Sequence, residues 1–459
     1  MALLAHTLAE RAVTARFEDL SARVVHEVKR RVLDSLGCAL GAWASRPAQV
    51  TRKLAAGVSA APGAGLLGSR HRTLPELAAF SNGALVRYLD YNDTYLSLEP
   101  AHPSDNIPAA LAVGQVVGAS GRDVILATAL GYELQCRLCD AASLRKHGWD
   151  HVYYGALSTA LLASRLFGLS VDQTAHALGL AGVCNFATRQ TRTGQLSDWK
   201  ACAFSNAARN GIFAARLARE GLTGPQEIFE GSRGLFRMVT GPFTLHWAAG
   251  PDDWMILRTY IKYWPAEYHS QSAIDAALQL RPDVGDPRRI ESIRIESFEA
   301  AVSIIGSEPE KWRPTSRETA DHSMAYCVAV ALLDGDVTPA SFDEARLHDP
   351  AVLSLLDRIR IVETAECNAG YPNGIPNRLI IRTGDGRELA KLVKHPRGHA
   401  GNPMTDDEVI AKFRRQAEGV VSAATAQRLI DAAMNLDALA DVAPLLEFET
   451  LGPHDGMTA

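Results

Sequence analysis

The 459-residue chain carries 47 Lys and Arg against 52 Asp and Glu, a formal net charge of −5 at pH 7. Binding to nucleic acid or to an anionic membrane needs a basic face that releases counterions, so this balance argues against both partners. With 47% hydrophobic and 22% charged residues the composition is that of a globular protein, and the length predicts two or three domains.

The apolar run in the N-terminal segment is too short for a secretory signal peptide, and an acidic residue follows it too early. No later run approaches the ~20 apolar residues of a membrane span. We therefore expect a cytoplasmic protein whose seven cysteines are reduced. Cys136 and Cys139 have redox or metal spacing, but they lie in the helical pattern 124–142 without a second such pair, so we expect them to be structural. No group of thiolates suggests an iron–sulfur cluster.

The first part of the chain has the period of helices. From Thr7 to about Tyr260 apolar residues mostly recur every three or four positions, which predicts a large all-helical domain over residues 1–265. Ser170 and Thr405 each precede Gln or Glu by three residues, the capping-box pattern that begins a helix.

After Pro265 the apolar period changes to two. Residues 290–298 and 358–364 alternate, and residues 379–393 predict two strands around a Gly-Asp-Gly turn. Helices near 274–280 and 323–333 would cover one face of an antiparallel sheet. The fold class predicted is therefore mostly α with α+β: the helical domain, a smaller α+β domain over 266–400, and C-terminal helices in 401–459 that rejoin the first domain.

The segment from Leu89 to Asn106 contains three aspartates, a histidine and two prolines, with no room for a hydrophobic stripe. Asp and His at close quarters can exchange protons near neutral pH, and prolines fix the backbone that carries them. This pattern favours an active-site loop. The alternative is an Asx-rich surface turn.

This segment resembles the MmgE/PrpD family, in which an LD(Y/F)ND motif followed by HPSDN carries active-site groups. Further matching blocks follow in the same order: Gly148–His151, Ser197–Lys200 with Asn206–Arg209, Lys262–Gln271, Ala320–His322 with Tyr326, and Gly398–Ala400. The resemblance covers nearly the whole chain. It implies a helical domain with the smaller domain as lid, and usually a homodimer. Members dehydrate 2-methylcitrate or citrate, decarboxylate cis-aconitate, or epimerise iminodisuccinate.

The resemblance also indicates the site. The positions expected to line it are Asp93, His102, His151, Lys200, Lys262, His269 and Tyr326, and further substrate-binding candidates are Arg189, Arg192, His322, Arg397 and His399. The residue types suit the chemistry, because dehydrating a hydroxy acid needs a base, an acid and cations that hold carbanion-like charge.

Several of these residues have a structural alternative. Lys200 stands before an Ala-rich helix and needs a counter-ion, which an anionic ligand or an internal salt bridge would supply. Arg189 and Arg192 look like the family's RxxR loop or a solvated charge pair, and His322 alone suggests a cap. His147 and His151 are four residues apart without the glutamate of an HExxH motif, so neither a metal nor another cofactor is expected.

The leading hypothesis is a cofactor-free hydro-lyase that dehydrates 2-methylcitrate or a related tricarboxylate such as citrate. An epimerase or decarboxylase of a related acid is the alternative within the family, and a non-catalytic metabolite-binding homologue is a further one. After Gly398 and His399 this chain continues Ala-Gly-Asn-Pro-Met, where the dehydratases carry a run of arginines. That departure leaves the exact substrate open.

Overall fold

Two hydrophobic cores organise the computed structural model, which describes residues 3–452. The first core draws its buried side chains from residues 5–261 and again from 404–446. The second core is built from residues 260–393 together with Leu96. The chain thus leaves the first core near residue 261 and returns to it near residue 404. No helix within residues 3–452 is both long and apolar enough to cross a membrane.

Helices form nearly all of the body around the first core. They are α1 (Leu4–Thr14), α2 (Ala22–Gly41), α3 (Arg46–Ala56), α4 (Pro75–Tyr88), α5 (Ile107–Val117), α6 (Gly121–Ala141), α7 (Val152–Leu166), α8 (Val171–Cys184) and α9 (Trp199–Arg219). A hairpin of two-residue strands, β1 (Ala64–Gly65) with β2 (Arg72–Thr73), interrupts them, and residues 220–260 consist mostly of turns and irregular segments. The expectation of an all-helical domain is wrong at these two places. Cys136 and Cys139 are buried free thiols in α6.

The body around the second core, called the lid below, contains a four-stranded sheet. Its strands are β3 (Ser292–Ser297), β4 (Ile359–Glu363), β5 (Asn377–Arg382) and β6 (Glu388–Val393), in the order β4-β3-β5-β6. The predicted antiparallel pairing is correct for β3 with β5 and for β5 with β6. It is wrong for β3 with β4, which pair in parallel. The helical crossover between those two strands returns the chain to the same end of the sheet, which makes parallel pairing possible.

Helices of the lid are α10 (Gln271–Val284), α11 (Glu299–Ile305), α12 (Pro309–Trp312), α13 (Arg317–Ala320), α14 (Met324–Asp334), α15 (Glu344–Leu347), α16 (Pro350–Leu356) and α17 (Ala365–Gly370). The two predicted helices correspond to α10 and α14, which pack against each other and against the sheet. Because α14 is apolar nearly all round, its residues from Met324 to Leu332 are buried.

The C-terminal helices are α18 (Asp406–Ala417), α19 (Ala423–Met434) and α20 (Ala443–Leu446). Both α18 and α19 pack against α2. The capping boxes predicted at Ser170 and Thr405 are present and begin α8 and α18. Where the chain returns from the lid, Gly398 adopts φ +93°, and a Cβ there would lie 2.0 Å from the carbonyl oxygen of Ile261. Glycine therefore lets the outgoing and returning segments lie side by side.

Candidate active site

Asp90 lies just beyond the end of α4 and is fully buried. It is the one non-glycine residue with positive φ in the described part of the chain, at 50°. Such a backbone conformation costs on the order of 1–3 kcal/mol and persists only where surrounding contacts hold it. The contacts that hold Asp90 come from charged side chains.

Cations from separate parts of the chain surround the Asp90 carboxylate. Oδ1 accepts hydrogen bonds from the Arg87 guanidinium and, at 2.9 Å, from Nζ of Lys262. Nζ of Lys262 also donates to the Asp90 backbone carbonyl at 2.8 Å, and Nζ of Lys200 lies 3.9 Å from Oδ2. Burial alone would raise the pKa of Asp90, but Arg87, Lys262 and Lys200 hold it well below its usual range. Asp90 is therefore a buried anion at neutral pH.

The lid contributes Asp321 and His322, between α13 and α14. Asp321 Oδ1 lies 2.9 Å from Nζ of Lys200 and 2.5 Å from Nδ1 of His322. His322 Nδ1 is 3.6 Å from Asp90 Oδ2. Burial and the Lys200 ammonium lower the pKa of His322 to about 4, so its ring is neutral at pH 7. The Asp90 cluster, as used below, consists of Arg87, Asp90, His102, Lys200, Lys262, Asp321 and His322.

One part of this cluster has the spacing of a metal site. Ligand atoms of Asp90, Asp321 and His322 all lie within 4.8 Å of one another. Nζ of Lys200, however, lies 2.9 Å from Asp321 and 3.1 Å from His322, so an ammonium already supplies positive charge to the group. A divalent ion there would also be repelled by Arg87 and Lys262. The charges present suit the lysine better than a metal ion.

His102 has both ring nitrogens engaged. Nδ1 lies 2.8 Å from the backbone carbonyl of Asp93, which can only accept, so Nδ1 carries the proton. Nε2 consequently accepts from the Arg87 guanidinium at 2.9 Å. Burial and the nearby Arg87 lower the pKa of His102 well below its usual value. The ring is a neutral bridge between the loop backbone and Arg87.

His151 precedes α7 and has one engaged nitrogen. Its Nδ1 lies 2.9 Å from Asp150 Oδ1, and Asp150 Oδ2 accepts from Nε of Arg192 at 3.0 Å. Nε2 of His151 and one terminal nitrogen of Arg192 are buried without a hydrogen-bond partner among residues 3–452. Burial lowers the pKa of His151, although Asp150 opposes the shift. The ring centroid lies 5.9 Å from that of His102, which brings this group to the Asp90 cluster.

His269 repeats this arrangement from the lid. Its Nδ1 lies 2.7 Å from Glu267 Oε1. Its Nε2 is buried and unpaired within the described chain. Burial alone would raise the pKa of Glu267, but His269, His322 and Lys262 lower it, so this carboxylate too is ionised beside the cluster. Nε2 of His151, the terminal nitrogen of Arg192 and Nε2 of His269 thus have unused hydrogen-bonding capacity close to the Asp90 cluster.

Two residues expected at the site have other surroundings. Asp93 accepts hydrogen bonds from the backbone N–H of Ser104 at 2.8 Å and from the Tyr132 hydroxyl at 2.7 Å. These bonds stabilise the loop 89–106, to which Asp93 itself belongs. Tyr326 is fully buried in the core of the lid, and its hydroxyl donates to the Ser341 carbonyl at 2.8 Å. Neither side chain pairs with the Asp90 cluster.

The remaining substrate-binding candidates lie farther out. Arg397 forms a salt bridge with Glu408 at the start of α18. His399 stacks on Tyr260 with ring centroids 4.5 Å apart, and burial together with His395 lowers its pKa to about 4. Neither contacts the cluster. Arg189, half-buried in a 3₁₀ turn with Arg192, forms no side-chain hydrogen bond or ion pair within residues 3–452, and burial lowers its pKa against the opposing effect of Glu99 and Asp150.

Three features of this site were missed by sequence reasoning. Arg87 reads as an ordinary basic residue at the end of a helix, and Asp90 shares a motif with Asp93 that does not show which aspartate faces the cations. Asp150, Glu267 and Asp321 each precede a site histidine by one or two residues. That proximity was the available signal, because a histidine used in proton transfer is commonly oriented by a carboxylate.

Comparison with known proteins gives the family of the chain. Residues 6–248 match the MmgE/PrpD N-terminal domain and residues 264–438 match the MmgE/PrpD C-terminal domain. The chain belongs to the MmgE/PrpD family. It is 30% identical over 418 residues to a probable 2-methylcitrate dehydratase of Saccharomyces cerevisiae, covering 84% of this chain and 78% of that protein. The 2-methylcitrate dehydratase of Cupriavidus necator is 30% identical, with 88% and 85% covered. A cis-aconitate decarboxylase-like protein of Aspergillus oryzae is 28% identical, with 93% of each covered.

The buried contacts of Asp93 predict a structural role in this MmgE/PrpD protein. Asp93→Ala leaves two buried donors, the Ser104 N–H and the Tyr132 hydroxyl, without their acceptor, while Arg31, 3.4 Å from the carboxylate, keeps its ion pair with Glu27. Each buried donor left unsatisfied costs about 1–3 kcal/mol, so the free energy of unfolding measured in urea should fall by about 2–6 kcal/mol. Asp385→Ala, in an exposed turn beside Arg387, is the control. A loss no larger than the control's would contradict the role.

Proposed function

We propose that the protein is a hydro-lyase that dehydrates 2-methylcitrate, or a closely related tricarboxylate such as citrate, without a metal or other cofactor. The observation that carries the proposal is the pair of buried histidines, His151 and His269, each held at Nδ1 by a carboxylate and unpaired at Nε2, beside the cations of the Asp90 cluster. The names of the relatives from S. cerevisiae and C. necator support the same reaction. With 2-methylcitrate as substrate, the enzyme would serve propionate metabolism.

The reaction requires two proton movements and a place for negative charge. A base removes a proton from the carbon next to a carboxylate, an acid protonates the departing hydroxyl, and cations stabilise the charge that develops between these events. We assign the base to Nε2 of His151, because burial keeps that ring neutral at pH 7. His269, on the lid, is the proton donor to the hydroxyl: it acts as the imidazolium, with Nδ1–H on Glu267, and its Nε2–H passes to the hydroxyl, which leaves as water.

Substrate carboxylates would be held by cations with unused bonding capacity. Arg192 has a buried terminal nitrogen without a partner, and Arg189 has no side-chain partner within residues 3–452. Lys200 and Lys262 already bind protein carboxylates, so we assign them to the stabilisation of developing charge. His102 bridges to Arg87 and, on this proposal, positions that guanidinium.

A second candidate is decarboxylation. The A. oryzae relative, named a cis-aconitate decarboxylase-like protein, matches the largest share of this chain among the three described above. The same cations would stabilise the charge left when CO₂ departs. Elimination needs a proton donor for the hydroxyl in addition, and the unpaired His269 favours it.

Product analysis separates the two reactions. Incubation with 2-methylcitrate, citrate, cis-aconitate and iminodisuccinate, followed by NMR, should show an unsaturated tricarboxylate from 2-methylcitrate or citrate and no CO₂ from cis-aconitate. The product should be unchanged in the presence of a chelator, since Lys200 supplies the positive charge at the one metal-like group found within residues 3–452. CO₂ from cis-aconitate without elimination from either citrate would replace the hydro-lyase by a decarboxylase. Binding of all four acids without turnover would indicate a metabolite-binding homologue.

The roles of His151 and His102 predict different mutant behaviour. His151→Gln should lower kcat about 100-fold or more, the usual scale for loss of a positioned base. Since a lowered pKa keeps the ring neutral to a more acidic pH, kcat/KM of the wild type should begin to fall only below pH 6.5. His102→Asn should cost less, because an amide can keep one of the neutral hydrogen bonds. A larger loss in His102→Asn than in His151→Gln would transfer the role of base to His102.

We also propose a homodimer in a reducing, cytoplasmic compartment. All seven cysteines are unpaired and six are buried, which fits such a compartment. A groove of about 420 Å³ between α8 and α9 is lined in part by Leu180, Phe213 and Leu217. Phe213 is 52% exposed and the nearby Phe186 is 80% exposed, an apolar surface that a second copy would cover.

The dimer has a direct test. Sedimentation equilibrium at micromolar concentration should give about twice the chain mass of 49.5 kDa. Phe213→Glu should shift the protein to the monomer, because an unpaired carboxylate in an apolar interface is costly, whereas Leu222→Glu, at another exposed apolar side chain, serves as the matched control. A monomeric wild type would exclude the dimer.

A further inference from the structure

We propose that Lys412, a buried lysine on α18, positions the Asp90–Lys262 pair for the reaction. Its effect on catalysis rests on the proposed function, whereas its effect on geometry does not. Lys412 is 1% exposed and belongs to the C-terminal helices, which supply none of the residues of the Asp90 cluster. It acts through backbone groups of the two loops that carry Asp90 and Lys262.

The ammonium of Lys412 has three N–H donors and three acceptors arranged around it. It donates to the backbone carbonyl of Tyr91 at 2.8 Å and to that of Lys262 at 2.9 Å. The third acceptor is Asp34 on α2, with Oδ1 at 2.6 Å. Nζ also lies 3.7 Å from the centre of the Tyr91 ring, a cation–π contact. Tyr91 directly follows Asp90, so one cation holds the backbone at both members of the pair.

Removal of this cation would leave three oxygen atoms facing one another. Two are backbone carbonyls, which would repel each other once their shared donor is gone, so the two loops would separate. The third belongs to Asp34, where burial raises the pKa of the carboxyl group. The separation would be local, because other contacts join the loops independently. Thr94 and Tyr260 exchange backbone hydrogen bonds at 2.9 and 2.8 Å, and the Tyr91 hydroxyl donates to the Tyr263 carbonyl at 2.7 Å. The fold is therefore retained while the Asp90–Lys262 contact is displaced.

The experiment compares Lys412→Met with Lys29→Met in the full-length protein. Lys29 also joins α2 to the C-terminal segment, through an ion pair of 2.5 Å with Asp437, but touches neither loop. Lys412→Met should lower kcat by about 100-fold, the scale of a roughly 1 Å misplacement of catalytic groups, while KM changes little. Lys29→Met should keep wild-type kcat. Equal kcat in the two variants would overturn the proposal.

A double variant distinguishes positioning from stability. Asp34→Asn combined with Lys412→Met removes the unpaired buried carboxylate, so the melting temperature should recover towards wild type while kcat stays low. Recovery of kcat along with stability would overturn the positioning role. This variant also provides folded protein if Lys412→Met alone does not fold.

Crystal structures of the variants test the geometry without reference to turnover. The 2.9 Å contact between Lys262 Nζ and Asp90 should be broken in Lys412→Met or in the double variant and kept in Lys29→Met. An unchanged contact would overturn the proposal. If the wild type dehydrates none of the acids tested, the proposed function fails, and the crystallographic comparison still decides the role of Lys412.

Discussion

A carboxylate without solvent exposure stays ionised only while cations surround it, and Asp90 has one such cation three residues away and two that are distant in sequence. Arg87 comes from α4, Lys200 from α9 and Lys262 from the segment that leads to the lid. The lid adds Asp321, which pairs with Lys200. The charges of the site are therefore balanced only when both bodies are assembled, and the strained backbone at Asp90 is held by the same contacts.

Much of the fold could be predicted from apolar periodicity, since a period of 3.6 or 2 reports which face of an element is buried. It located α10, α14 and all four strands of the lid, and the capping boxes at Ser170 and Thr405 set two helix starts. Periodicity contains no information on strand direction, which is why the parallel pairing of β3 with β4 was missed. The hairpin at residues 64–73 has only two residues in each strand, too few to show alternation.

The site was less predictable because motifs give residue types and not the directions of side chains. The structure brings His102, Lys200 and Lys262 together, with His151 and His269 beside them. Within one motif, however, Asp90 faces the cations while Asp93 binds the loop's own backbone. Tyr326 was expected at the site from the family resemblance, but α14 carries it into the core of the lid, where its hydroxyl donates to the Ser341 carbonyl. Arg397 pairs with Glu408 on α18. The sequence did not predict this ion pair, because it depends on the path by which the chain returns from the lid.

The helical core is discontinuous in sequence, and this has a consequence for biosynthesis. Domains generally begin to fold from the N-terminus during synthesis. Here the face of α2 that receives α18 and α19 stays uncovered until the whole lid has been translated. The aspartate of α2 that awaits Lys412 is likewise unpaired during that interval. A chain whose synthesis ends within the lid would therefore expose the apolar face of α2 and lack part of the charge network, and exposed apolar surface of this kind is what chaperones bind.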